Sequence, residues 1–261
     1  MLYDSFETEI SREDLVTVFS NVSKPPFLLG GWAVYLTVNK DYKDTNGRNY
    51  HGSKDVDLGF HFSGKESRDE LVNSALNQST AALEKIGFGS SGYRMIQQRH
   101  RETRKILTLK EAKNTNSYDM FDLCVDFIVD RIPPNIHDVL NIAPVDEVLL
   151  EPVFTRDEYV KIEEFGIEIL PKPDLLLATK LVSLPGRNAE HKKCKDMADI
   201  YAVLRYSGTR LDDPRSGALR VVPREIIRNL ESIITDADYV AAAIDADAAE
   251  MRNVITAIMQ K

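Results

Sequence analysis

The stretch FLLGGWAVYLTVNKDYKDTNGRNYHGSKDVDLGF, residues Phe27 to Phe60, decides how this chain is read. Phe27-Leu28-Leu29 is a short apolar strand running into Gly30-Gly31, and the apolar run from Trp32 to Val38 reads as a buried helix. Residues 39–54 are rich in Asn, Asp, Gly and Lys without an apolar period, which predicts a loop. The segment DVDLGFHF then reads as a strand, yet it opens with Asp55 and Asp57 where a buried strand takes apolar residues. Side chains alternate along a strand, so the two aspartates share one face while Val56 and Leu58 take the other. Two carboxylates that close repel each other, and burying them uncompensated costs several kcal/mol. A divalent cation removes the conflict, and Mg2+ takes carboxylate oxygens together with substrate phosphates.

A third carboxylate is expected on a neighbouring strand. From Phe121 to Asp130 the chain alternates, with Phe121, Leu123, Val125, Phe127 and Val129 on one face and Asp122, Cys124, Asp126, Ile128 and Asp130 on the other. Asp126, flanked by apolar triplets, is the mid-strand aspartate and the first candidate; Asp122, nearer the strand end, is the second. Gly30-Gly31 at a strand-to-helix junction lets backbone N–H groups approach an anion such as a nucleotide phosphate. A lone Gly-Gly is an ordinary turn, and a lone Asp-x-Asp is common on surface strands. The order carries the signal: Gly-Gly, helix, loop, Ser53-x-Asp55-x-Asp57, then a distant mid-strand Asp.

Composition narrows the class. The chain has 261 residues, 43% hydrophobic and 28% charged, as in a globular protein with a substantial core. The net charge of −8 argues against a general nucleic-acid coat. Two basic islands remain, Arg99, Arg101, Arg104 and Lys105 in one and Lys192, Lys193 and Lys195 in the other, each compatible with a solvated surface. The cysteines Cys124 and Cys194 suggest no disulfide framework, the acidic start MLYDSFETEI does not read as a signal peptide, and no run is long enough to span a membrane, so the expected location is the cytoplasm. The five histidines show no paired ligand spacing, which argues against zinc.

Along the chain, Ser11 to Val22 and Glu66 to Ile86 read as helices, the latter ending at Gly87. GYRMIQQ, RKILTLKEA and YDMFDLCVDFIVD read as strands, the last two forming a hairpin through Asn114 to Ser117; VDEVLLEPVF and EEFGIEIL read as further strands. After Pro171 the segments DLLLATKLVSL, CKDMADIYAVLRY, PREIIRNLESII and DAAEMRNVITAIM are all helical. The expectation is an α+β fold, a mixed β-sheet flanked by helices over residues 1–170, followed by a helical C-terminal domain over 171–261. Trp32 is expected to pack in the core, and Asp174 to cap a helix.

The motif LLGGWAVYL…HGSKDVDLGF resembles the signature of the nucleotidyltransferase superfamily related to DNA polymerase β. It is especially similar to small antibiotic nucleotidyltransferases acting on aminoglycosides and lincosamides. The stretch PDLLLATKLVSLPGRNAEHKKCKDMADIYAVL resembles the AbiEii-type toxin nucleotidyltransferases. The resemblance implies that Asp55, Asp57 and Asp126 bind two Mg2+ ions, with Asp126 assisting the attacking hydroxyl. It implies that Gly30, Gly31 and Ser53 hold a nucleoside triphosphate, that Lys180 contacts its phosphates, and that Arg187, Lys195, Asp196 and Asp199 complete the pocket wall. The implied activity transfers an NMP to a hydroxyl acceptor, with RNA such as a tRNA end favoured, in a toxin countered by a cognate antitoxin. A small-molecule adenylyltransferase and a non-catalytic nucleotide- or partner-binding module are the alternatives. Where the family carries an Arg in a brief connector before the Asp-x-Asp strand, this chain has a longer loop with Arg48 and His51.

Overall fold

The alternating segment around Asp126 forms the central strand of a mixed sheet. The computed structural model describes residues 5–22, 26–164, 167–208, 212–230 and 237–259. Strands β1 (Phe27–Leu29), β2 (Val56–Phe60), β3 (Gly89–Ser91), β4 (Arg94–His100) and β5 (Met120–Val129) lie in the order β1-β2-β5-β4-β3, with β6 (Val145–Asp146) beside β5. β2 and β6 run parallel to β5, and β4 runs antiparallel to it. The apolar face is closed by the residues the alternation selects: Val56, Leu58, Leu123, Val125, Phe127 and Val129 are all fully buried. Phe60 stacks on Phe127 with ring centroids 5.8 Å apart. Helices α1 (Ser5–Asn21) and α4 (Ala75–Lys85) add Leu15, Val18, Leu76 and Leu83 to the buried set. The architecture is a mixed sheet flanked by helices.

Several elements differ from the expectation, each for a local reason. Residues 66–86 form two helices, α3 (Arg68–Val72) and α4, because Ser67 and Ser74 each cap a new start. RKILTLKEA is not a strand: only Ile106 bridges to Arg99, and a Thr108–Glu111 capping box starts α5 (Leu109–Asn114). The antiparallel neighbour of β5 is therefore β4. VDEVLLEPVF forms β6, a 3-10 turn and α6 (Glu151–Thr155), whose start carries Pro152. Strands β7 (Tyr159–Glu164) and β8 (Ile167–Pro171) pair as a separate two-stranded sheet.

The chain falls into two compact units, residues 6–29 with 53–170 and residues 30–52 with 171–261. One break falls at Leu170–Pro171, and residues 30–52 group with 171–261. That segment carries α2 (Gly30–Asn46), which packs on α7 (Pro173–Ser183) and α8 (Glu190–Tyr206). The helix runs well into the predicted loop. Tyr35, Val38 and Tyr42 keep its buried face, Lys40, Lys43 and Asp44 stay exposed, and the Tyr42 hydroxyl donates to the carbonyl of Ile244 at 2.8 Å. The same unit holds α9 (Asp212–Val221), α10 (Arg224–Asn229), α11 (Ala237–Ile244) and α12 (Ala248–Met259). PREIIRNLESII is helical over α10, and its last four residues lie outside the described residues. No described helix is long and apolar enough to cross a membrane.

Truncating the centre of the sheet measures how much the buried face contributes. Phe127→Ala is expected to lower the unfolding free energy by about 3–5 kcal/mol, and Tyr118→Ala, at an 85% exposed position, to change it by less than about 0.5 kcal/mol. Urea denaturation of the two variants reads both values.

Candidate active site

Strand register brings the aspartates together. In the parallel pair β2–β5, Asp57 lies opposite Asp126, and in the antiparallel pair β5–β4, Asp126 lies opposite Arg94. Asp57, Asp126 and Arg94 therefore form one row across neighbouring strands about 4.8 Å apart. Asp55, two residues before Asp57, precedes the strand, and its carboxylate reaches the same row, with Oδ2 4.0 Å from Arg94 Nη2. Arg94 Nη2 donates to Asp126 Oδ2 at 2.8 Å, and Nη1 to Cys124 Sγ at 3.6 Å. Asp122 lies further along β5, opposite Gln98, whose amide donates to it at 3.2 Å. The register sets Asp126, and not Asp122, beside Asp57.

The sheet face decides the charge states here. Burial, with Asp55 adding to it, pushes the Cys124 thiol up to about 12, so it is no nucleophile near neutral pH. Burial by itself lowers the affinity of the Arg94 guanidinium for its proton, but Asp126 outweighs it and the net shift is upward. Asp55, Asp57 and Asp126 supply hard oxygen donors of the type Mg2+ takes, and their chemistry fits such an ion. In this arrangement Arg94 supplies positive charge beside Asp126 and Asp55. Among the described residues no three His, Cys, Asp or Glu side chains are already spaced to hold a metal.

In the same unit the first basic island is neutralised. Arg99 pairs with Asp14 at 2.8 Å, Arg101 with Glu7 at 3.2 Å and Arg104 with Glu13 at 2.7 Å, three carboxylates of α1. Ser53 is buried. At the other end of β2, buried Asp130 accepts from the Phe62 amide at 3.0 Å and pairs with His61 Nδ1 at 2.7 Å.

The unit holding residues 30–52 and 171–261 contains the other expected site residues. Gly30 has φ +61°, a left-handed value that L side chains rarely adopt, so the glycine at this helix start is a backbone requirement. Trp32 is buried with its ring edge-on to Tyr35, and a Cβ added to Gly52 would stand 2.6 Å from the indole, which gives Trp32 the expected packing role.

Lys180, Asp196, Asp199, Arg187 and Lys195 meet in one buried network. Lys180 Nζ lies 2.7 Å from Asp196 Oδ1 and 2.9 Å from Asp199 Oδ2. Arg187 Nε and Ser183 Oγ donate to Asp196 Oδ2 at 2.5 and 3.1 Å. Lys195 pairs with Asp199, and the Tyr50 hydroxyl donates to Asp199 Oδ1 at 2.9 Å. Helical spacing explains the convergence, because positions i, i+3 and i+4 share a face, and Lys195, Asp196 and Asp199 follow that rule on α8. Burial disfavours the charged form of Lys180, yet Asp196 and Asp199 outweigh it and its pKa is raised. Lys195 moves the other way, lowered by burial and by Lys180 against the pull of Asp199. Asp196 ends below the usual carboxylate range because Lys180 and Arg187 overcome its burial. The ammonium of Lys180 is thus enclosed by carboxylates and can meet a phosphate only by leaving them.

Arg94 and Tyr50 are participants that the sequence reading did not assign to these clusters, whereas His51 was a candidate phosphate contact. Arg94 carried a signal, a charge inside an apolar strand, but its partner depended on the register of β4 against β5. Tyr50 and His51 sit in the polar run after α2. Burial, reinforced by Lys195 and Arg48, lowers the His51 pKa from 6.5 to about 4.

No family model matches the chain, and no curated protein matches it. Among solved structures it is similar to the crystal structure of an antigenic nucleotidyltransferase-like protein from Paracoccidioides brasiliensis, with 15% identity, a TM-score of 0.47, and coverage of 95% of this chain and 97% of that chain.

Two expected outcomes test the buried network. Asp199→Asn is expected to cost about 3–5 kcal/mol, because it leaves two buried ammonium groups poorly compensated, whereas Tyr50→Phe costs about 1.5–3 kcal/mol; chemical denaturation measures both. The second outcome is a pH slope from His51. Its folded pKa near 4 lies below the unfolded value of 6.5, so between these values the unfolded chain binds the extra proton and stability falls as the pH falls. Urea midpoints taken between pH 4 and 7 should show a shallower slope in His51→Gln than in the wild type.

Proposed function

We propose that the chain is a metal-dependent nucleotidyltransferase that moves an NMP from a nucleoside triphosphate to a hydroxyl acceptor. The observation that carries this reading is the in-register row of Asp57 and Asp126 with Asp55 beside it. Three carboxylates gathered on one sheet face have no structural benefit that apolar residues would not exceed, and their chemistry suits Mg2+ and a polyphosphate.

Asp55, Asp57 and Asp126 would hold two Mg2+ ions, which when bound supply charge neutralisation at the phosphates and lower the pKa of a bound oxygen nucleophile. Asp126 receives the acceptor's proton as the acceptor oxygen forms its bond to the α-phosphorus. The bond from that phosphorus to the bridging oxygen breaks in line, and pyrophosphate leaves with the electron pair. Positioning and fixed charge contribute most of the rate in such a transfer. By the resemblance, phosphate contacts fall to backbone groups at Gly30 and Gly31 in one unit and, separately, to Ser53 in the other. By the resemblance Lys180 neutralises phosphate charge once released from Asp196 and Asp199, and Arg187, Lys195, Asp196 and Asp199 are pocket-wall residues.

For the acceptor, the AbiEii-like stretch from Pro173 to Leu204 favours an RNA end, with a cognate antitoxin as partner. Within that stretch Lys180 lies between Asp196 and Asp199 of α8. A small hydroxylated acceptor, as in antibiotic nucleotidyltransferases, is the second reading. It is favoured by the pairing of Arg99, Arg101 and Arg104 with α1, which removes a bare basic surface.

Incubation with each labelled NTP, Mg2+ and total cellular RNA tests the activity and the acceptor together. Label is expected in a tRNA-sized band, and Asp57→Asn is expected to reduce it by at least about a hundredfold, the size typical of losing a principal electrostatic group, with an unchanged circular dichroism spectrum. Full transfer by Asp57→Asn would contradict the metal assignment. Pyrophosphate release with a small hydroxylated acceptor, and none with RNA, would select the second reading.

A further inference from the structure

The proposed reaction needs a cation among Asp55, Asp57 and Asp126, and this structure has one there, supplied by the chain itself. Arg94 lies directly across from Asp126. Its guanidinium binds Asp126 Oδ2 at 2.8 Å and reaches to 4.0 Å from Asp55 Oδ2. It is held from two further sides, by Cys124 Sγ at 3.6 Å and by the ring of Tyr93, whose centroid is 4.8 Å from the guanidinium carbon. The Arg94 side chain is 21% exposed, and those of Asp55 and Asp126 are 16% and 13% exposed, so solvent screens this contact only partly. Protonated at every physiological pH, Arg94 cannot yield its place by losing a proton.

We propose that Arg94 is the resident counter-ion of the carboxylate row and that a divalent metal binds there only in competition with it. The inference rests on the metal-dependent reading above. A metal ion and the guanidinium draw on the same carboxylate, Asp126, and two cations that close repel each other. Loading the metal therefore means that the Arg94–Asp126 pair opens. The same pair places a positive charge beside Asp126 and Asp55 on that sheet face. Once released, the fork of the guanidinium is suited to a phosphate, the anion that a nucleotide brings. Arg94 thus acts as a positioning residue that sets the metal affinity of the site.

Mn2+ titration of the full chain, read by calorimetry and by the electron paramagnetic resonance of free Mn2+, tests the competition without any turnover. The expected result is that Arg94→Ala lowers the Mn2+ Kd at least tenfold relative to the wild type. Arg94→Gln, which keeps an N–H donor for Asp126 without the charge, should do the same and serves as the reading if the alanine variant fails to fold. Asp57→Asn should abolish binding in either background. Equal Mn2+ affinity in the wild type and both Arg94 variants, lost in each with Asp57→Asn, would overturn the competition and leave the metal site standing. An absence of Mn2+ binding by every folded variant would overturn the metal reading and this inference together.

Discussion

The pairing of Asp57 with Asp126 across the parallel strands β2 and β5 is the constraint on which the site depends. Register is set by the apolar face: Val56, Leu58, Val125 and Phe127 are fully buried, and a slip of one residue would turn each of them outward. The core thereby forces two carboxylates into neighbouring positions on the opposite face, where their repulsion must be answered by positive charge. Arg94 answers it in this structure because the antiparallel register of β4 brings it to the same row. Core packing and site electrostatics are two faces of the same strands.

The second unit solves a related problem with a different inventory. Lys180, Lys195 and Arg187 surround Asp196 and Asp199, so each buried charge has an opposite partner at hydrogen-bond distance. Such networks seldom add net stability over apolar packing, but they fix geometry, since losing one member leaves another buried and uncompensated. Tyr50 ties the segment after α2 into this network through Asp199. The polar run that looked like a free loop is anchored at both ends, by Tyr42 on Ile244 and by Tyr50 on Asp199.

Much of the architecture was legible in the sequence, and the exceptions have identifiable causes. The alternation along β5 identified its buried face residue by residue, and the periodicity of α7 and α8 identified those helices. The Gly-Gly junction was equally clear, since Gly30 needs its positive φ. What could not be read were features set at a distance and one local cap that outweighed an apparent strand. The helical extension of α2 rests on one aromatic residue, Tyr42, in a polar run. The apparent strand from Arg104 to Ala112 was overruled by the Thr108–Glu111 capping box. The partnership of Arg94 with Asp126 required the register of two strands separated by an intervening helix. The resemblance implies that Lys180 contacts nucleotide phosphates, whereas the anions it meets here are Asp196 and Asp199.

The account comes down to whether the row that Arg94 now occupies is a cation site. A crystal structure of the full chain soaked in Mn2+, phased on the manganese anomalous signal, tests this most directly. The account predicts an anomalous peak about 2.0–2.3 Å from carboxylate oxygens of Asp55, Asp57 and Asp126, with Arg94 swung away from Asp126. A saturating soak that leaves Arg94 bonded to Asp126 and the row without a peak would contradict it.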